Sequence, residues 1–215
     1  MIKNQFTNNF FESFRDSYIQ RNVKEISNYC NSIITHLNKQ DLILHPLGFY
    51  YCNVFDFSNG EKIRIHIWSD KGNRIIPLMD IHNHYYNVIS FVFKGYVYNT
   101  IYDVTKTEPF THTLYQGSYD KNGKRILEKT DKKFNLIPLK KNKISQGELY
   151  IIDKSDVHKG EVPESQFSIT FVFTEKPVEP NPQVFGRIDG KDTYEFPLIE
   201  VNNEEIEYII ENASA

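Results

Sequence analysis

The chain of 215 residues has little cysteine, little net charge and no long apolar run. Its two cysteines, Cys30 and Cys52, are too few for a disulfide framework, so both are expected to be reduced packing residues. The net charge of −3 provides no broad electrostatic attraction to nucleic acid or to an anionic membrane. No stretch approaches the ~18 apolar residues that span a bilayer, and the N-terminus lacks a signal-peptide core. We therefore expect a soluble, cytoplasmic protein that binds neither nucleic acid nor membranes.

Aromatic residues are abundant, with 14 Tyr and 16 Phe against a single Trp. Such residues favour pleated, half-buried surfaces, so the composition indicates an all-β class. The length suits one domain with extensions.

Residues 1–44 are predicted to form an N-terminal helical arm that lies across a sheet. Apolar residues recur there at three- and four-residue intervals, which is typical of amphipathic helices. Thr7 with Asn8 or Asn9 is expected to cap the start, and a break near residues 21–23 divides the arm into two helices.

Residues 45–176 are predicted to contain the β-sheet structure, beginning with strands at 49–57 and 62–68 joined by an Asn-Gly turn. On the second strand Arg64, His66 and Trp68 share one face, and three isoleucines share the other. The pattern leaves open which face lines the interior. If the polar face does, Arg64 and His66 point into a cavity.

Further strands are expected along the chain, with a long hairpin pairing 86–94 with 96–104 about Lys94-Gly95. Residues 105–146 form an insertion whose strands, 110–116 and 134–139, flank a polar tip that could act as a lid or partner surface. Strands at 149–152 and 166–174 follow. Residues 177–215 are predicted to be a tail, because prolines 177, 180 and 182 end the sheet; it contains a short segment at 193–199 and a helix at 204–211.

The pair His82-Asn83-His84 is the first indication of a metal site. Side chains two apart on a strand point to the same face, so both imidazoles could bind one ion. A third ligand should come from a chain-distant strand, and His158 is the best candidate. The alternative is a pair of polar contacts at the rim of the sheet. His36 and His112 are expected to be surface residues.

Two spaced patterns resemble the cupin superfamily. The first cupin motif, G-x5-H-x-H-x3,4-E-x6-G, matches His82, His84 and the closing Gly95. The second, G-x5-P-x-G-x2-H-x3-N, places its histidine eleven residues after its first glycine, which is the separation of Gly147 from His158. The resemblance covers residues 48–175 and implies a jelly-roll barrel, the double-stranded β-helix of the cupins.

The chain departs from the cupin pattern at several positions. The glutamate of the first motif falls on Val88 or Ile89, neither of which can bind a metal, and Ile76 replaces the leading glycine. The second motif has other residues at its proline, glycine and asparagine positions, which are Asp153, Ser155 and Val162. The resemblance therefore implies a site of three neutral imidazoles with open positions for water, substrate or dioxygen.

This ligand set resembles that of the cupin thiol dioxygenases, which implies an Fe(II)-dependent oxidoreductase acting on a small polar molecule. Imidazole also suits zinc, nickel and copper, so ligand type alone does not choose the metal, and manganese is a further possibility. The alternatives are a non-redox isomerase, epimerase or lyase, and a metal-stabilised binding or regulatory module.

Catalytic candidates are Tyr86, Tyr98 and Arg64, the last as a binder of a substrate carboxylate. Tyr102 and Tyr150 are further candidates, and the alternative for each of these residues is core packing with a satisfied polar end. No organic cofactor is expected. Cupins often pair through exposed strands, so a homodimer is the oligomer that the resemblance suggests.

Overall fold

A computed structural model of the chain describes residues 2–71, 77–119, 124–178, 182–196, 201 and 203–214. The predicted turn at Gly72-Asn73, the centre of the polar tip at 120–123, Pro180 and residues 197–199 lie outside these ranges. The described part is mostly β, as the composition indicated, with two antiparallel sheets and three α-helices. None of its helices has the length and apolar character that crossing a bilayer requires.

The helices are α1 (Asn8–Ile19), α2 (Val23–Ile34) and α3 (Asn203–Ser214). The strands follow in chain order: β1 (Ile43–His45), β2 (Phe49–Asp56), β3 (Lys62–Trp68), β4 (Ile81–His82), β5 (Val88–Lys94), β6 (Tyr96–Thr105), β7 (His112–Tyr119), β8 (Arg125–Ser145), β9 (Leu149–Ile152), β10 (Val157–Glu161), β11 (Ser168–Thr174), β12 (Val184–Arg187) and β13 (Thr193–Phe196).

The six-stranded sheet has the order β1-β2-β3-β11-β5-β9 and carries the main core on its outer face. Alternate residues of β3, β5 and β11 point to this face and pack against the three helices; they are Ile63, Ile65, Ile67, Ile89, Phe91, Ile169, Phe171 and Phe173. The polar face of β3, which carries Arg64 and His66, therefore points inward. The structure thus decides the question that the alternation of β3 left open.

The N-terminal arm forms two helices, as the sequence predicted, and each begins at a side-chain cap. The Thr7 hydroxyl accepts a hydrogen bond from the amide of Phe10, and the Asn22 side chain accepts one from Glu25. Arg21, with φ of 55°, breaks the helical path between them. Arg15 of α1 pairs with Glu61 in the turn after β2, so a charged contact fixes the arm to the sheet.

The seven-stranded sheet has the order β13-β8-β6-β10-β4-β12-β7. Its longest strand, β8, pairs with β6 through its C-terminal half and with β7 through its N-terminal half. The two predicted strands of the insertion therefore belong to β7 and β8, which pair with each other, and residues 117–119 and 125–133 between them are also strand. Pro138, which cannot donate a hydrogen bond, lies at the register shift between β8 and β6.

The predicted hairpin of 86–94 with 96–104 is wrong. β5 pairs with β9 and β11 in one sheet, whereas β6 pairs with β8 and β10 in the other. A single residue, Gly95, separates the two strands, and a tight hairpin needs two turn residues. Gly95 has φ of 73°, and the chain bends there from one sheet into the other.

The C-terminal tail contributes two strands to the seven-stranded sheet, although its prolines predicted that the sheet ends before it. β12 lies between β4 and β7, and Val184 pairs directly with His82. The segment predicted at 193–199 begins as β13, which pairs with β8. The predicted terminal helix is α3, whose Ile206 and Ile209 join the main core beside α1 and α2.

Candidate metal centre

Three histidines converge on the inner side of the seven-stranded sheet. His82 ends β4, His158 lies on β10, and their Cα atoms are direct partners across the ladder. His84 follows two residues after His82, beyond the end of the strand. One ligand nitrogen from each side chain lies within 4.8 Å of the others, so the group could hold a metal ion. The three residues singled out as ligands from sequence are therefore together.

Hydrogen bonds fix which nitrogen of two rings is free. His82 Nδ1 donates to the backbone carbonyl of Asp80 at 3.0 Å. His158 Nδ1 donates to Asn99 Oδ1 on the adjacent β6 at 2.8 Å. Each ring then carries its proton on Nδ1 and leaves Nε2 as the lone-pair donor. Such partners commonly orient metal-binding histidines.

The free nitrogens have a spacing that suits a shared ion. His84 Nε2 and His158 Nε2 are 3.0 Å apart. Two imidazole nitrogens that each lie about 2.0–2.1 Å from one ion are separated by roughly 3 Å when the angle at the metal is near 90°. The donor set and its spacing therefore fit a divalent metal.

Burial keeps the three imidazoles in the form that binds metal. It lowers the pKa of His82, and it lowers those of His84 and His158 well below the ordinary histidine value. Mutual repulsion adds to this effect, because the charged form of His82 would lower the pKa values of both neighbours. All three rings are neutral at neutral pH, and neutral imidazole is the ligand form.

No carboxylate joins the three histidines in the described part of the chain. Val88, which takes one of the two glutamate positions of the cupin pattern, packs on the inner side with Tyr86, Ile152 and Val172. The nearby Asp80 side chain is engaged with Lys159 at 2.8 Å. The centre is therefore a three-imidazole site.

Tyr86 and Arg64 connect the histidines to the opposite sheet. The Tyr86 ring stacks on the His84 ring with centres 5.4 Å apart, and its hydroxyl receives a long contact of 3.5 Å from Arg64 Nη1. The Asp56 carboxylate interacts with the charge of Arg64 at longer range, but it forms its ion pair with Lys62 at 2.6 Å. Arg64 forms no ion pair with any carboxylate among the residues that the structure describes.

His66 and His45 extend the polar surface along the inner face of the six-stranded sheet. Both rings stack on Phe49, with centres 4.5 and 4.7 Å away. Burial lowers the pKa of His45 to about 3, and burial followed by the Arg64 charge lowers that of His66 well below its usual range. His45 Nδ1 accepts a hydrogen bond from the amide of Leu47 at 3.1 Å.

The other sequence candidates lie in different environments. Tyr98 points to the outer face of β6, where Lys141 lies 4.7 Å above its ring, so the structure does not bring it to the histidines. Tyr102 packs in an apolar cluster with Leu136 and Val157. Tyr150 is on the inner side, where burial raises its pKa and the nearby Ser90 hydroxyl lowers it. Within the described residues, His36 and His112 make only local hydrogen bonds.

Sequence reasoning missed Asn99 and His45. Asn99 alternates with Tyr98 on β6 and pairs through its side chain with His158, 59 residues away. A polar residue at an inward strand position is a usable signal, but its partner depends on a register that the sequence does not state. His45 precedes Pro46 and resembles a turn residue, although it ends β1.

Comparisons with known proteins identify no family. No family model matches the chain, and no curated protein matches it. Among solved structures, the X-ray crystal structure of protein SO0799 from Shewanella oneidensis is similar, with 12% identity, 82% of this chain and 88% of that chain covered, and a TM-score of 0.33. A similarity at this TM-score carries no argument about fold or function.

Proposed function

We propose that this chain is a metal-dependent enzyme of the cupin type, with Fe(II) bound by His82, His84 and His158, that oxidises a small polar molecule. The observation that carries the proposal is the convergence of three neutral imidazoles, each of which offers one nitrogen within 4.8 Å of the other two. The jelly-roll assignment rests on the two facing antiparallel sheets and on the cupin-like spacing of the ligands.

The residues around the centre would orient the imidazoles and transfer protons. Asn99 and the Asp80 carbonyl hold the His158 and His82 rings in the tautomer that leaves Nε2 free. A ferrous ion at this position supplies a Lewis acid with open coordination positions and a one-electron redox couple. Tyr86, stacked on His84, places a hydroxyl group beside the centre that can donate or accept a proton.

Arg64 indicates the charge of the substrate. Its guanidinium lies on the inner face without a carboxylate partner in the described residues. After burial, its charge is among the causes that lower the pKa values of His45, His66 and His84. An unpaired cation beside a divalent metal is stabilised by an anion, and a guanidinium pairs with a carboxylate through two parallel hydrogen bonds. We therefore propose a small organic acid as the substrate.

Metal analysis of protein prepared without oxygen tests the ligand set. We expect one iron per chain in the wild type and loss of the metal in His158→Ala, because two imidazoles remain and no carboxylate joins them among the described residues. His112→Ala removes a histidine from β7 outside the site and should retain the wild-type metal content. Full metal content in His158→Ala would contradict the assignment.

Oxygen uptake separates the oxidative reaction from its rivals. The iron-loaded protein should consume oxygen when mixed with the right member of a panel of small thiol, amino and hydroxy acids. Zinc at full occupancy in native protein, with no oxygen consumption, would overturn the oxidative proposal in favour of an isomerase or lyase. Native protein that binds no divalent metal would contradict both kinds of enzyme and favour a binding or regulatory module that needs no metal.

A further inference from the structure

The inner face of the six-stranded sheet carries a second polar feature, formed by His66 and Thr170, which we call the polar floor. The two residues are Cα partners on β3 and β11 and point away from the helices. The floor belongs to the six-stranded sheet, which faces the histidine-bearing strands β4 and β10. His66 lies on the same face of β3 as Arg64, two residues further along the strand.

Thr170 buries a hydroxyl group that makes no hydrogen bond within the described residues. Its side chain is fully buried, and its hydroxyl finds no hydrogen-bond partner among the described residues. Burying an unsatisfied hydroxyl costs free energy, whereas valine has nearly the same shape without that cost. A hydroxyl at such a position is explained if a ligand supplies its partner.

His66 shows the same lack of partners. Its ring stacks on Phe49 and lies edge-on to Trp68, and its nitrogens make no hydrogen bond within the described part of the chain. Burial and the Arg64 charge keep this imidazole neutral, so it offers one donor and one acceptor. The threonine hydroxyl also donates and accepts, so the two side chains match a neutral polar group.

We infer that the polar floor of His66 and Thr170 is a specificity subsite, which hydrogen-bonds a hydroxyl group of the small acid proposed above as substrate. The inference rests on the proposed function for the orientation of the acid, which Arg64 binds. Arg64 and His66 are two residues apart on one strand face, about 6.6–6.8 Å along β3. The substrate therefore carries its neutral polar group a few carbon atoms from its acid group.

Thermal unfolding tests the floor without knowledge of the substrate. Thr170→Val should raise the unfolding midpoint of the ligand-free protein by about 2–4 °C, because it removes an uncompensated buried hydroxyl. The matched control is Thr113→Val, since the buried Thr113 hydroxyl bonds the carbonyls of Thr130 and Lys132 at 3.1 and 3.0 Å. That control should lower the midpoint. A lowered midpoint in Thr170→Val would overturn the inference.

Calorimetric titration with matched acids tests the binding role. The probes are lactate, 3-hydroxybutyrate and 4-hydroxybutyrate, with propionate and butyrate as their counterparts without the hydroxyl. With cobalt-loaded wild type, at least one hydroxy acid should bind about tenfold more tightly than its counterpart, since a site built for a hydroxyl rejects the analogue that lacks it. In Thr170→Val and in His66→Phe, the ratio of the two dissociation constants, for the acid without the hydroxyl and for the hydroxy acid, should fall below about twofold, with unchanged cobalt content.

Two results would overturn the floor: no preference for any hydroxy acid in the wild type, or a preference that survives both substitutions. Repeating the titrations with metal-free protein separates this inference from the proposed function. Failure of the wild type to bind cobalt would contradict the metal centre, while a hydroxyl preference that depends on His66 and Thr170 in the same metal-free sample would still support the floor.

Discussion

At the scale of single residues, the orientation of the imidazoles matters as much as their number. His158 is held by an amide oxygen from the neighbouring strand, and His82 by a carbonyl two residues before it. Because each bond removes Nδ1 from competition, Nε2 is the nitrogen presented to the centre. The arrangement needs Asn99 as an acceptor, although Asn99 touches no other ligand ring in the described contacts.

Asn99 offers a direct test of this positioning role. Asn99→Leu removes the acceptor for His158 Nδ1 and should weaken metal affinity about 10–100-fold, because a freed imidazole loses its fixed tautomer and orientation. Chelator competition with cobalt measures the dissociation constant. Asn99→Asp keeps an oxygen in place and should retain affinity near that of the wild type. Wild-type affinity in Asn99→Leu would show that His158 needs no orienting partner.

At the scale of secondary structure, the bend at Gly95 decides how the strands are distributed. A Cβ atom there would lie 2.3 Å from the Phe167 carbonyl oxygen and 2.5 Å from Ser168 Oγ. The Ser168 hydroxyl also bonds the carbonyl of Tyr96 at 2.8 Å, which fixes β6 as it enters the second sheet. Asn99, on β6, reaches His158 only because the chain changes sheets at this residue.

Gly95→Ala should therefore destabilise the protein by about 2–4 kcal/mol, through a left-handed backbone conformation and a steric clash with fixed backbone. Urea denaturation measures the change in the free energy of unfolding. The control is Gly160→Ala on β10, where an added Cβ meets no atom within 4 Å; it should change stability by less than about 0.5 kcal/mol. Equal stabilities of the two variants would contradict the close approach at the bend.

At the scale of the whole molecule, the main apolar core and the candidate metal centre lie on opposite faces of the six-stranded sheet. Helices and the outer face of the six-stranded sheet form an apolar core, while the inner face and the seven-stranded sheet enclose five histidines: His45, His66, His82, His84 and His158. Burial lowers the pKa of every one of them. The interior that could hold a metal ion is thus also a source of acid sensitivity.

The free energy of unfolding of the metal-free protein should fall as the pH falls below 6.5. Unfolded histidine binds a proton with a pKa near 6.5, whereas folded His45 stays neutral until about pH 3. Between these values the unfolded chain binds more protons, so acid favours unfolding by up to about 1.4 kcal/mol per pH unit for each such imidazole. Urea denaturation between pH 7 and pH 5 measures the slope, above the range in which most carboxylates titrate.

His45→Gln should make this slope shallower by about one proton. If His45→Gln keeps the wild-type slope, the imidazole of His45 does not remain neutral in the folded protein.

The helical arm, the faces of single strands and the residue types of the candidate centre could be predicted from local sequence patterns. Helix periodicity with the cap at Thr7, the alternation of β3, and the choice of His82, His84 and His158 all depend on spacing and residue type, which are local properties. The missing glutamate at Val88 was equally evident, because a residue's identity requires no fold.

Only the tertiary structure decided which strands pair and which faces meet. Gly95 is one residue between two amphipathic strands, and whether they fold back or diverge depends on the non-local Phe167 and Ser168. Likewise the inward direction of Arg64 and His66 follows from helices that cover the opposite face of β3, and the bond from His158 to Asn99 follows from the register of β10 with β6. These contacts join residues far apart in the chain, so their energies appear only after folding brings the two sheets together.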